Sequence, residues 1–269
     1  MREKPKRLSK GETMSDMEVH SVAEAVPEEP GLTQWQRVAN TFTAPSSTFE
    51  DIKRGHRSWW APLVIYALVG YILFAAVATK IGMQQVVDNQ IRLDPKASER
   101  MANATPEQRE MGSKISLKIT EGVFIANPLL VLAGVALLSL GLWGTINFGF
   151  GGKATYGSIF CVWMFASLPS ILKSLLGVIV IYAGAAPESF NIKNFAPTNL
   201  GAFLNPMETN KALYTLATSL DVVTIWTLVL LGMGTAIVAG LKRSSGYIAV
   251  FGWWVIFILI GVGIAAVTG

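Results

Sequence analysis

Chemistry-bearing side chains are scarce in this chain. It has one cysteine, Cys161, and two histidines, His20 and His56. An intramolecular disulfide is therefore excluded, and a His/Cys metal site lacks a ligand set. Only 15% of the residues are charged, against about 25% in soluble domains. No HExxH helix, GxSxG elbow, P-loop GK[ST] or dinucleotide fingerprint occurs. No two acidic residues sit together inside an apolar run, which argues against an intramembrane aspartyl protease. Gly149-Phe150-Gly151-Gly152-Lys153 has no strand before it and no Ser or Thr directly after the lysine, so it reads as a flexible turn with an interface lysine. Basic residues interleaved with stacking aromatics are missing too, which argues against nucleic acid. The net charge of +4 is better placed at membrane ends, where anionic lipid attracts lysine and arginine. The reading is of a non-enzymatic protein without metal or cofactor.

What the chain has in abundance is long apolar runs. Five of them cover roughly Trp59–Thr79, Gly122–Phe148, Gly157–Gly184, Ala212–Gly240 and Tyr247–Val267. Each is long enough to cross a hydrocarbon core of about 30 Å, which takes about 20 helical residues. Lipid offers backbone amides no partner, so such segments must be helical. The expected fold is all-α: a polytopic bundle of five transmembrane helices, with N-terminal interfacial helices and a helical hairpin between spans one and two. Residues 1–31 read as a disordered cytoplasmic tail, because Met1–Lys10 is basic, Glu12–Glu29 is acidic, and no apolar periodicity runs through them. Residues 32–269 form the membrane domain.

Leu32, Trp35, Val38, Ala39 and Phe42 fall on one helical face, opposite Gln34, Gln36, Arg37 and Asn40. After Pro45, Ser47 with Glu50 predicts a capping box, and Phe49 and Ile52 supply an apolar face. These two short helices either lie in the cytoplasmic interface or pack on the end of the bundle. In the first case Trp35, Phe42 and Phe49, with Trp59 and Trp60 at the entry of span one, form the membrane anchor. Between spans one and two, Asp94-Pro95 and Thr105-Pro106 each predict an N-cap followed by proline at the first helical position. Span one is expected to run on as helix through Val86–Leu93. Lys242-Arg243, in the tight turn between spans four and five, marks the inner side, and the sparse Ala185–Lys211 loop marks the outer. The N-terminus is thus expected inside and the C-terminus outside.

Two formal charges lie within the spans, Lys173 and Asp221. Counted at ~1.5 Å per residue from the outer ends of their spans, they stand ~16 Å and ~14 Å inward. Matched depths predict a Lys173–Asp221 pair facing the bundle interior. It serves either as a lock between spans three and four or as part of a polar path. Gly232, Ala236 and Gly240 form a small-residue ridge on span four, and Gly261 with Ala265 does so on span five. Such ridges let helices approach closely inside the bundle or, alternatively, between copies in a homo-oligomer. Asn127-Pro128 and Pro169 are expected to loosen or kink spans two and three.

Three segments carry a resemblance. Thr41-Phe42-Thr43-Ala44-Pro45-Ser46-Ser47-Thr48-Phe49-Glu50, followed by Trp59-Trp60-Ala61-Pro62-Leu63, resembles the lead-in to the first span of the Yip family, the Ypt/Rab-interacting membrane proteins. Tyr156-Gly157-Ser158 through Leu168-Pro169-Ser170 resembles its third-span pattern, and Ser219-Leu220-Asp221-Val222-Val223-Thr224-Ile225-Trp226 the fourth span of prokaryotic members. The Asp-Leu-Tyr-Gly-Pro signature of eukaryotic members is absent, so the resemblance does not carry Rab binding to this chain. It implies a five-span membrane protein without enzymatic activity: for eukaryotic members one of membrane organisation, trafficking and partner binding, for prokaryotic members little beyond membrane residence, here expected in a bacterial cytoplasmic membrane. The expected role is a scaffold or adaptor in the lipid bilayer, with a membrane or cytoplasmic protein partner. The alternative is a small-solute or ion transporter using Lys173 and Asp221.

Overall fold

The computed structural model describes residues 30–268. The expectation of a disordered tail falls almost wholly outside them. Everything from Leu32 on belongs to one unit. It is helical throughout its regular structure, and five helices in it are long and apolar enough to cross a membrane: Trp60–Ile81, Pro106–Gly149, Tyr156–Tyr182, Val222–Ala239 and Arg243–Thr268.

Helix α1 (Gln34–Thr43) starts at a capping box between Thr33 and Gln36. Helix α2 (Pro45–Lys53) starts on Pro45 after a sharp turn at Ala44. The Ser47–Glu50 box expected there does not form: the N-cap is Ala44, with no side-chain cap, because proline already supplies the fixed φ and missing N–H that a helix start tolerates. Helix α3 (Trp60–Ala76) closes in a π-helical turn over Val77–Ile81, and the chain then breaks at Gly82, φ +88°. That conformation is costly for any residue with a Cβ. It ends the expected continuous helix, and α4 (Met83–Arg92) starts afresh.

Asp94 caps α5 (Pro95–Asn103) by accepting from the amides of Lys96 and Ala97. Thr105 and Gln108 form the expected capping box of α6 (Pro106–Gly144), which holds Pro128 in its interior and ends in a π-helical turn, Thr145–Gly149. The connection to the third span is no loose turn. Asn147 both donates to the Ala154 carbonyl and accepts from its amide, and Trp143 donates to the same carbonyl.

Span three is α7 (Tyr156–Ala166) and α8 (Ile171–Tyr182), joined by a 3₁₀ turn over Leu168–Ser170 that carries Pro169. Proline removes an amide and crowds the preceding turn, so the tighter winding falls at that point. The fourth stretch departs most from expectation. Instead of one helix across 212–240 it is α9 (Lys211–Ser219) and α10 (Val222–Ala239), broken at Leu220-Asp221. Helix α11 (Arg243–Thr268) runs the length of both: Lys211 Nζ lies 3.5 Å from the Thr268 carbonyl, and Gly261 faces Thr215.

The largest core lies where α2, α7, α10 and α11 meet and includes Phe49, Ile52, Val162, Phe165, Leu231 and Val250. A second joins the end of α3 to α4, α8 and the segment after α8, through Leu73, Val77, Val86, Ile181 and Phe190. That segment, 185–210, is not a free loop. Phe195 is packed against Gly177 of α8, and Asn199 forms an antiparallel bridge with Asp221. Burial in protein lets its irregular backbone stand beside spanning helices.

Candidate functional site

Two buried charged clusters are candidates, one at each end of the bundle. The first joins α1 to α2. Arg37 lies one turn into α1, and Asp51 two turns into α2. Arg37 Nε donates to Asp51 Oδ2 at 2.7 Å, with the side chains 4% and 0% exposed. The other carboxylate oxygen accepts the Leu32 amide at 3.2 Å and lies 3.0 Å from His56 Nδ1 and 3.5 Å from Arg54 Nη2. Arg37 Nη1 also donates to the Ser58 carbonyl at 3.1 Å, which takes Gln34 Nε2 at 3.0 Å and faces Cys161 Sγ at 3.7 Å. The hydroxyls of Thr41 and Thr48 both donate to the Arg37 carbonyl, at 2.8 and 3.0 Å. A buried carboxylate is tolerated only when paired and hydrogen-bonded, and this one is.

Helical spacing assigns Arg37 to the polar face of an interfacial helix. The structure buries it instead, because α2 folds back on α1 and brings Asp51 to it. The sequence offers a signal: opposite charges on two short helices joined at Ala44-Pro45.

The same folding corrects the membrane anchor. Phe49 and Ile52 are fully buried; a Cβ on Gly234 of α10 would come within 2.9 Å of the Phe49 ring. Phe49 is thus a core residue and does not enter lipid. Trp59 is half-buried, edge-on to Phe160 with centroids 5.2 Å apart. Trp35, Phe42 and Trp60 are exposed, at 59%, 39% and 48%. Trp35 meets Trp60 edge-on at 6.0 Å, and Phe42 meets Trp226 of α10 at 5.9 Å. The α1–α2 pair therefore packs against α10 as part of the bundle.

The second cluster holds Lys173 and Asp221. Lys173 Nζ lies 3.1 Å from Asp221 Oδ2, with side chains 30% and 2% exposed. The carboxylate also accepts from the Thr198 hydroxyl at 2.5 Å and from the Thr224 amide at 2.8 Å. Asp221 is the N-cap of α10. It thus stands at a helix end, where a carboxylate complements the exposed amides and the helix dipole, and not mid-helix as expected. Counted from the other end, Asp221 is about 27 Å above Ala239 and Lys173 about 26 Å above Tyr156 along their helices. Thr198 is the partner that sequence spacing could not supply, since it comes from the packed segment after α8.

Of the small residues, Gly232 and Ala236 do meet a neighbouring helix. A Cβ on Gly246 of α11 would collide with the Gly232 carbonyl and come within 2.8 Å of the Ala236 Cβ. Gly246 is the close-contact glycine that the sequence reading missed. Gly240 is not part of the ridge: it is the left-handed C-cap of α10, φ +69°, with open space around its Cα. Gly261 meets only Thr215, at 3.8 Å, while Ala265 is buried at 5%. Among the described residues no group of three His, Cys, Asp or Glu side chains is placed to hold a metal ion.

Neither curated proteins nor solved structures give a match to this chain. A family match does exist, and it covers the Lys173–Asp221 pair, Asp51 but not Arg37, and nearly the whole of the five membrane-length helices. Residues 39–265 match the Yip1 domain, and the chain belongs to that family of integral membrane proteins.

Proposed function

We propose that this protein is a non-enzymatic membrane adaptor whose contact surface is the outer face of the α1–α2 pair. The observation that carries the reading is the Arg37–Asp51 cluster. A buried ion pair contributes little net stability, but it specifies one arrangement of the elements it joins. Here it fixes a 20-residue segment on the bundle, so that Gln36, Thr43, Ser47, Glu50 and Lys53 face outward as an ordered polar surface. Basic residues gather at the same end. Arg57 lies against Gly157, the Lys153 amide donates to the Ala239 carbonyl, and Arg243 reaches Ser46. Arg57, Lys153 and Arg243 lie close to span ends, where basic residues weigh most in orientation, and this supports an N-terminus on the cytoplasmic side of a bacterial inner membrane.

The test must leave the fold intact. Deleting Leu32–Arg57 would remove Phe49 and Ile52 from the core, so loss of a partner would prove nothing. A photo-crosslinking residue at Gln36, Ser47 or Glu50, with Ser98 of α5 as the control, probes the surface alone. The adaptor reading expects a protein captured in cells at near-stoichiometric yield from the first three positions and not from Ser98. Identical capture from all four, or capture only of lipid, refutes it.

A second reading is transport through the Lys173–Asp221 region. The break between α9 and α10 favours it, since discontinuous helices mark solute sites in many transporters. Proteoliposome flux that falls to background in Lys173→Ala would support it, and flux equal to that of empty vesicles would end it.

A further inference from the structure

The end of the bundle that carries α4 and α5 is hollow. A cavity of about 460 Å³ lies between α3, α6, α8 and the segment after α8, walled by Gly70, Phe124, Asn127, Ser174, Lys193 and Phe195 among others. A second, of about 490 Å³, adjoins it, with Asn191, Asn194, Lys211 and Tyr214 in its wall. A third, of about 200 Å³, includes Asp94 and Ser116. Gln90 and Lys193 line all three, so they stand at the junction of one branched space.

Polar groups in the first cavity lack partners. Among the described residues the side chains of Gln90, Asn127 and Ser174 make no hydrogen bond, and Lys193 makes no ion pair within 4 Å. Asn127 is half-buried within the apolar part of α6 and lines the cavity, so its amide is open to a hydrogen-bonding ligand there. The charge of Lys193 is felt across the space. Burial would raise the Asp94 carboxyl, but the Ala97 amide, Lys211, the Lys96 amide and Lys193 together hold it below its ordinary value.

The cavity also opens sideways. Ile119 and Val123 line it and are 61% and 52% exposed. Between them α6 changes from charged sequence, ending at Lys118 and Glu121, to the apolar run from Gly122. That change marks the height at which a bilayer passes from headgroup to hydrocarbon. A ligand entering there has a charged head, a hydrogen-bonding middle and an apolar tail.

We propose that this cavity binds one anionic membrane phospholipid. Its phosphate pairs with Lys193, its glycerol-ester carbonyls accept from the Asn127 amide and the Ser174 hydroxyl, and its chains leave between Ile119 and Val123 into the bilayer. An anionic head fits better than a zwitterionic one in the first cavity, whose one charged lining residue is Lys193; the carboxylates of Asp94 and Glu208 line the other two chambers.

The test is native mass spectrometry of the full chain in detergent, titrated with dioleoyl phosphatidylglycerol, dioleoyl phosphatidylcholine or glycerol 3-phosphate. The first lipid should bind more tightly than the second by about fivefold, the effect of one lysine at an anionic headgroup. Lys193→Ala should abolish that preference, Asn127→Leu should weaken both lipids, and Lys153→Ala at the opposite end should change nothing. Ser174→Ala replaces the Asn127 variant if the latter does not fold. Equal binding of the two lipids by the unaltered protein overturns the proposal, as does a preference that survives Lys193→Ala. Displacement of phosphatidylglycerol by glycerol 3-phosphate overturns it in another way, by showing a site for a free organic anion.

Discussion

Breaking the Arg37–Asp51 pair should loosen the α1–α2 segment without unfolding the bundle, and the chain carries its own reporter. Cys161, the single cysteine, is fully buried, and its sulfur faces the Ser58 carbonyl that also accepts from Arg37. Thiol labelling by N-ethylmaleimide in detergent micelles therefore requires the segment to lift. Removing one partner of a buried pair costs ~3–5 kcal/mol, because the other is left charged and unsatisfied. If the cost falls on local opening, the open population and the labelling rate rise roughly 100- to several-thousand-fold. The two partners should not be equivalent. Asp51→Ala leaves Arg37 with only the Ser58 carbonyl, whereas Arg37→Ala leaves Asp51 still beside Arg54, His56 and the Leu32 amide. Asp51→Ala should thus label faster than Arg37→Ala. Arg37→Met with Asp51→Leu should restore much of the protection, since it removes both charges and fills the space. Labelling of both single variants at the rate of the unaltered protein would refute the reasoning, and so would a double variant as open as Asp51→Ala.

Lys173→Ala should lower thermal stability, read by fluorescence-detected size exclusion, by ~1–3 kcal/mol, because Asp221 keeps Thr198 and the Thr224 amide but loses its counter-charge. Lys173→Ala with Asp221→Ala should differ from Lys173→Ala alone; equal stability and abundance would show the pair to be energetically silent. Gly246→Ala should cut folded yield sharply, since its methyl would run into the Gly232 carbonyl backbone, while Gly252→Ala, with open space at its Cα, should be neutral. Gly82→Ala should cost ~1–2 kcal/mol from its positive φ alone, with nothing nearby to clash; a change below measurement in the same assay would contradict that.

Apolar length made the five-helix plan legible, because a span has no cheaper way to satisfy its backbone than helix. Caps built from adjacent residues were also legible: Asp94-Pro95 and Thr105 with Gln108 lie where local hydrogen bonding puts them. What failed in each case was set by contacts distant in sequence. Phe49 looks like a lipid anchor by its periodicity and becomes core only because α10 offers Gly234 as a seat. Arg37 looks solvated until α2 folds back over it. Hydropathy reads straight through 212–240, since neither Leu220 nor Ser219 breaks an apolar window, so the fracture at Asp221 stayed hidden. Gly246 passed unnoticed because one glycine at the start of an apolar helix carries no spacing signal until Gly232 and Ala236 close on it.

The break at Asp221 decides how the Lys173 pair should be understood. In a continuous helix a carboxylate has only its side-chain partners, and every formal charge is a cost that function must justify. At the first turn of α10 the same carboxylate meets a helix N-terminus, takes the Thr224 amide, and ties down Thr198 in the segment after α8. Its acceptors are then occupied by the fold, leaving little capacity to exchange a proton or an ion with a passing solute. Lys173 is the less committed member, at 30% exposed, and its neighbour Ser174 lines the cavity between α3, α6 and α8. A transport role would therefore have to run through that cavity with Lys173 as its charge, and Asp221→Asn, which preserves the cap, should leave flux unchanged. An adaptor role predicts no flux in either protein. A large loss of flux in Asp221→Asn, with the fold intact, would contradict both and return the carboxylate to the centre of the mechanism.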